Sequence, residues 1–250
     1  MPWLRRTCLA APTVLLALGL LAQERIVLPN ECGTLARLPG WTALAGADLT
    51  AATRPTDPVG EPARSILAGA IALLRERQQE ADHVLLHSPG TAPGALRFVN
   101  AYSAGYSITS ADLNKPEVTT VLQKELTASL TSPGVTVTFA GSKVQQQLFP
   151  VGTLSLSFEL ATADRKWHVE HHVVPAGERI QYFEATFLDG DVDARGEIET
   201  LLRTFDGARE GRSVDFWRAT LIGGGTGALA AILARVWMRR RQRAAEAGAR

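Results

Sequence analysis

The sequence predicts an α+β fold: an antiparallel meander of strands covered by helices, plus one C-terminal transmembrane helix. Three observations predict it. Residues 135–188 contain consecutive alternating segments separated by short turns, which is the pattern of adjacent antiparallel strands. Three other segments repeat apolar residues at helical spacing. Residues 219–238 form an almost uncharged run, interrupted only by Arg235, long enough at about 1.5 Å per residue to cross a ~30 Å hydrocarbon core.

The chain opens "MPWLRRTCLAAPTVLLALGLLAQE". Arg5 and Arg6 precede an apolar run from Cys8 to Ala22, the composition of a signal peptide over residues 1–22. Leu20 is only a fair match at the minus-three position, so an uncleaved anchor is the alternative. Residues 23–207 then form an exported α+β domain, long enough to bury its own core. Cys32 is the one cysteine left after signal removal, so the domain holds no internal disulfide. No CxxC spacing points to structural zinc. Cys32 is expected to be a small packed residue.

"TRPTDPVGEP" (Thr53 to Pro62) reads as a loop. A helix starts at Pro62, with Ile66, Ala70, Leu73 and Leu74 on one face. "HVLLHS" (His83 to Ser88) and "ALRFVNAYS" (Ala95 to Ser103) are strands joined by the turn "PGTAPG". A second helix has Asn114 as its cap, Pro116 in its first turn and Pro133-Gly134 as its stop, with Val118, Val121, Leu122 and Leu126 sharing a face. "VTVTF", "TLSLSFEL", "KWHVEHHVV" and "RIQYFEATFL" follow as strands. In the second of these, Leu154, Leu156, Phe158 and Leu160 face one way and Thr153, Ser155, Ser157 and Glu159 the other. Gly177 suits a left-handed turn position between the last two strands. "DVDARGEIETLLRTFDG" closes the domain as a helix with an Ile198, Leu201, Leu202, Phe205 stripe.

"LPGW" (Leu38 to Trp41), the hairpin "VEHHVVPAGERIQYFEATF" and the closing "EIETLLRTFDG" together resemble PsbP-like domains over roughly residues 35–207. The resemblance implies a non-enzymatic accessory or assembly factor on the exported side of a membrane. It carries over no catalytic residue. The Pro-rich loop and the long first helix depart from the pattern.

"WHVEHH" is the main candidate for chemistry. On a strand, His168, Glu170 and His172 share one face, and Trp167, Val169 and His171 the other. Residues two apart are about 6.6 Å apart, close enough to share a metal, whereas residues four apart are not. A zinc site there needs ligands from neighbouring strands; a solvated polar face is the competing explanation. His83 and His87 are separated in the same way by the strand "HVLLH". "SAGYSITSAD" (Ser103 to Asp112) is a Ser-rich loop with no base nearby in sequence. Asp189, Asp191 and Asp193 alternate as calcium oxygens can, but Thr200 stands where the bidentate Glu of a full loop is required, so capping and the helix dipole explain them. No Walker loop, G-x-S-x-G or H-E-x-x-H is present. No catalytic residue and no cofactor is assigned.

Residues 208–218 read as a linker, 219–238 as the transmembrane helix and 239–250 as an Arg-rich cytosolic tail. Trp217 and Trp237 flank the apolar run as interfacial aromatics, and Arg239, Arg240, Arg241 and Arg243 place that end in the cytosol. The expected localisation is therefore the cell membrane, single-pass, with the domain on the periplasmic side. Residues 23–218 carry 18 Lys and Arg against 24 Asp and Glu, so the formal charge of +1 hides an acidic domain between basic ends. An acidic domain without a basic stripe argues against nucleic-acid binding. Gly223 and Gly227 form a G-x-x-x-G that permits helix packing and a homodimer through the span. The same segment can also be read as a processed sorting tag. The function read from the whole is a membrane-anchored binding or assembly module, with an envelope protein as one partner. An envelope hydrolase or metal-dependent enzyme is the alternative.

Overall fold

In a computed structural model of the chain, residues 24–45, 82–90, 95–131, 134–163 and 165–212 are described. Nine strands run in order: β1 (Arg25–Val27), β2 (Thr34–Ala36), β3 (Thr42–Ala45), β4 (His83–Pro89), β5 (Leu96–Ala104), β6 (Thr136–Gln145), β7 (Thr153–Ala161), β8 (Lys166–Ala176) and β9 (Arg179–Leu188). The α-helices among the described residues are α1 (Ser110–Leu113), α2 (Pro116–Leu130) and α3 (Ala194–Leu202), and a short 3-10 turn (Pro29–Glu31) lies between β1 and β2. β1 and β2 form a two-stranded ribbon. The other seven strands form one antiparallel sheet in the order β3-β4-β5-β9-β8-β7-β6.

The local reasons are visible in the sequence. Gly90 N donates to Ala95 O at 2.8 Å and closes the β4–β5 hairpin. Gly177, at φ 74°, makes the β8–β9 turn. Thr109 and Asp112 form a reciprocal capping box on α1. There, hydrogen bonds from Lys115 and Thr109 outweigh burial and hold the Asp112 carboxyl below its ordinary pKa. Asn114 does not cap α2: it ends α1, with its Nδ2 donating to Ser110 O, and Pro116 occupies the first turn of α2.

The sheet is packed on both faces. On one, Val99, Ala101, Val174, Phe183, Ala185 and Phe187 meet the α3 stripe Ile198, Leu201 and Leu202, together with Leu35 and Phe149. Phe183 lies 5.1 Å from Phe205 and 6.0 Å from Phe149, centroid to centroid. On the other, Leu154, Leu156, Phe158, Val169 and Val173 meet Leu113 and Val118, with Leu122 and Leu126 partly buried over them. Cys32 is a buried free thiol, as the sequence predicts.

The predicted fold class needs correction. The described architecture is dominated by its sheets, and helices are few. β1, β2 and β3, built from residues 25–45, have alternation too short to stand out. The strands are not one simple meander either: β9 inserts between β5 and β8, placing the last strand at the centre of the sheet. Pairing of this kind depends on register between segments distant in sequence, which no local pattern encodes.

The transmembrane helix, the single-pass architecture and the membrane localisation built on it are also not retained. Among the described residues no helix is long and apolar enough to cross a membrane. The longest, α2, has 15 residues and carries Glu117, Lys124 and Glu125; at about 1.5 Å per residue it falls short of a ~30 Å core. Residues 219–238, the packing candidates Gly223 and Gly227, the signal over residues 1–22, the Pro-rich loop and the helix from Pro62 lie outside the described residues.

Candidate functional site

The histidines and the acidic and aromatic residues are distributed between the two faces by strand alternation. On the face covered by α3, His168, Glu170 and His172 do lie together along β8, as expected, but each has its own partner. His168 Nε2 is 2.9 Å from Asp189 Oδ1, and that hydrogen bond holds the Asp189 carboxyl below its ordinary pKa. Glu170 Oε1 accepts from Arg195 Nε at 2.7 Å. His172 Nδ1 is 2.9 Å from Ser155 Oγ, which accepts from Gln145 Nε2 at 3.2 Å. A hydroxyl that accepts from Gln145 can still either donate to Nδ1 or accept from it; the other ring nitrogen, Nε2, is buried without a hydrogen-bond partner, 3.9 Å from Glu170 Oε2. Burial, with a smaller contribution from His171, pushes the His172 pKa down to about 3. That imidazole is too weak a base to activate a hydroxyl near neutral pH.

The Asp189–Asp193 segment is divided in the same way. Asp191 is buried and accepts from Arg97 Nε and Nη2 at 2.7 and 2.6 Å. Arg97 also pairs with Glu197 of α3. The bond to Asp191 outweighs burial and raises the guanidinium pKa above its ordinary value. Asp193 precedes α3 without a side-chain cap bond. Among the described residues, no group of three or more His, Cys, Asp or Glu is placed to hold a metal ion.

The opposite face holds a polar cluster at the centre of the sheet. Cross-strand register aligns Asn100 of β5, Glu184 of β9 and His171 of β8 in one row. The adjacent row is His83, Tyr102 and Tyr182. The row on the other side begins His87, Phe98 and Thr186. Directly opposed residues in a sheet share a face, so these side chains converge. Tyr102 stacks on His83 at 4.7 Å and on Tyr182 at 5.1 Å; His171 is 5.4 Å from the Tyr182 ring. His83 Nδ1 donates to Asn100 Oδ1 at 2.9 Å. Tyr182 and Tyr106 share a hydroxyl–hydroxyl bond of 2.8 Å, and burial raises the pKa of both phenols, that of Tyr182 the more.

Two groups in this cluster are poorly compensated. His171 is 1% exposed, and its Nδ1 has no hydrogen-bond partner. Glu184 is 24% exposed at its side chain, and its one ion-pair contact is that same Nδ1, 3.8 Å from Oε2. Among the described residues no Lys or Arg pairs with it. A carboxylate so placed among aromatic rings costs stability and commonly marks a ligand contact. The sequence reading missed Asn100, Tyr102, Tyr182 and Glu184, because only the register between β5, β9 and β8 brings them together. The available signal was the presence of Asn100, Glu184 and Thr186 at strand positions that alternate with Phe98, Tyr102 and Tyr182 on one face of their segments.

No protein-family model matches the chain, and none of the curated proteins searched matches it either.

Proposed function

We propose that the chain is a binding or assembly module whose contact centre is the row Asn100, Glu184 and His171. The observation that carries this reading is the pair Glu184 and His171, poorly compensated at the middle of a sheet face that is apolar towards β7 and polar and aromatic towards β4. A sheet under selection for stability alone places Val, Ile or Leu at such positions. The functional groups of the other face, by contrast, are engaged in pairs: His168 with Asp189, Glu170 with Arg195, His172 with Ser155. The resemblance to PsbP-like domains supports the same class of role.

A hydrolase is the second reading, favoured by the alignment Ser155, His172, Glu170. It ranks below the first because Ser155 is 8% exposed, His172 is held neutral, and Glu170 is committed to Arg195.

Native mass spectrometry of the full chain, purified gently from its own cells, tests the proposal. The expected result is a retained small-molecule mass in the wild type that is lost in Glu184→Gln. A bare protein in both forms, with no change on adding cell extract, contradicts it.

A further inference from the structure

We propose that the row Asn100, Glu184 and His171 binds a small organic cation, a primary ammonium or a guanidinium. This inference rests on the binding-module reading and names its ligand class. Glu184 supplies a negative charge that no Lys or Arg among the described residues balances. An anionic ligand is repelled there, and a neutral one leaves the charge uncompensated. A cationic ligand supplies the missing charge and forms a charge-assisted hydrogen bond.

The geometry suits such a donor. Glu184 Oε2 and His171 Nδ1 are 3.8 Å apart. One nitrogen about 2.8 Å from each, beside the line that joins them, can direct an N–H to both. Nδ1 is then an acceptor, which accounts for a buried ring nitrogen without a partner. Along β9 the carboxylate is flanked by Tyr182, and along β5 Asn100 is flanked by Phe98 and Tyr102. Same-face neighbours on a strand stand about 6.6 Å apart, so the rings border the cation, and aromatic rings attract cations. Metal binding is the competing chemistry, but this row offers only two side chains of the kind that hold a transition metal.

Agmatine and putrescine, titrated calorimetrically into the full chain at pH 8, test the proposal; zinc chloride and glutarate are titrated separately. The expected result is saturable binding of an amine, weakened about tenfold or more by Glu184→Gln. Arg195→Gln, on the opposite face, leaves it unchanged. Circular dichroism establishes that each variant is folded. If Glu184→Gln does not fold, Glu184→Asp replaces it, with the same loss expected from withdrawing the carboxylate by one methylene. No saturable binding of either amine overturns the cation assignment. Saturable binding of zinc or glutarate without the amines also overturns it, but leaves the binding-module reading standing. That broader reading fails separately, through the bare mass in native spectrometry.

Discussion

Glu184 Oε2 stands 3.8 Å from His171 Nδ1 across the β8–β9 pair, and this is the one ion-pair contact of either group among the described residues. Two strands away on β7, Ser155 occupies the other face and holds His172, the next residue along β8. Adjacent histidines on one strand thus serve opposite faces: His172 is held through Nδ1 by Ser155, with its Nε2 buried and without a hydrogen-bond partner, and His171 faces a carboxylate that no Lys or Arg among the described residues balances. Distinct predictions follow for the two faces.

Stability falls with acid through His172. Its folded pKa is about 3, against an unfolded value of 6.5. Between those values the unfolded chain holds the extra proton, so stability rises with pH there and is lost as pH falls, at up to about 1.4 kcal/mol per pH unit. Asp112 and Asp189, whose pKa values lie below 3.8, lose their contributions only at lower pH. Urea midpoints measured from pH 6.5 to 4.5 are expected to decline in the wild type and to decline less in His172→Gln. Parallel declines contradict the assignment.

Arg97 fastens β5 to the start of α3 through Asp191 and Glu197. Its side chain is 1% exposed and that of Asp191 0%. Removing the cation strands a buried carboxylate. Arg97→Met is therefore expected to cost about 3–5 kcal/mol, read from the urea midpoint at constant slope. A loss below about 1 kcal/mol would mean that the pair is dispensable to the fold.

Gly33 joins the β1–β2 ribbon to the segment after α3. It has φ 144°, and a Cβ there would stand 2.4 Å from Asp206 O. Thr34 N donates to that same carbonyl at 3.2 Å. Gly33→Ala must both strain the backbone and displace Asp206, so a destabilisation of about 2 kcal/mol or more is expected in thermal melts. An unchanged melting temperature would show that the ribbon moves freely against residues 205–207.

Much of the sheet was legible in the sequence, because alternation and turn residues are local. "TLSLSFEL" places Leu154, Leu156 and Phe158 in one core, and the Ile198, Leu201, Leu202, Phe205 stripe lies on the other. The candidate site was not legible. "WHVEHH" drew attention to His168, Glu170 and His172, whose partners Asp189, Arg195 and Ser155 come from other elements. His171 fell on the face that periodicity marks as apolar. Only the insertion of β9 between β5 and β8 sets Glu184 beside it. The membrane helix read from residues 219–238 illustrates the converse. A composition signal can be strong while the described structure offers nothing that answers to it.

The central claim is that Glu184 is kept for binding at the expense of stability. The most direct measurement is the melting temperature of Glu184→Leu beside the wild type, both free of ligand at pH 8. Replacing a partly buried carboxylate, whose one ion-pair contact among the described residues is the 3.8 Å approach to His171, by an apolar side chain of similar size is predicted to stabilise the fold by about 1 kcal/mol or more, a rise of roughly 2–4 °C. A fall of several degrees would contradict the account, because it would make Glu184 part of what holds the sheet together.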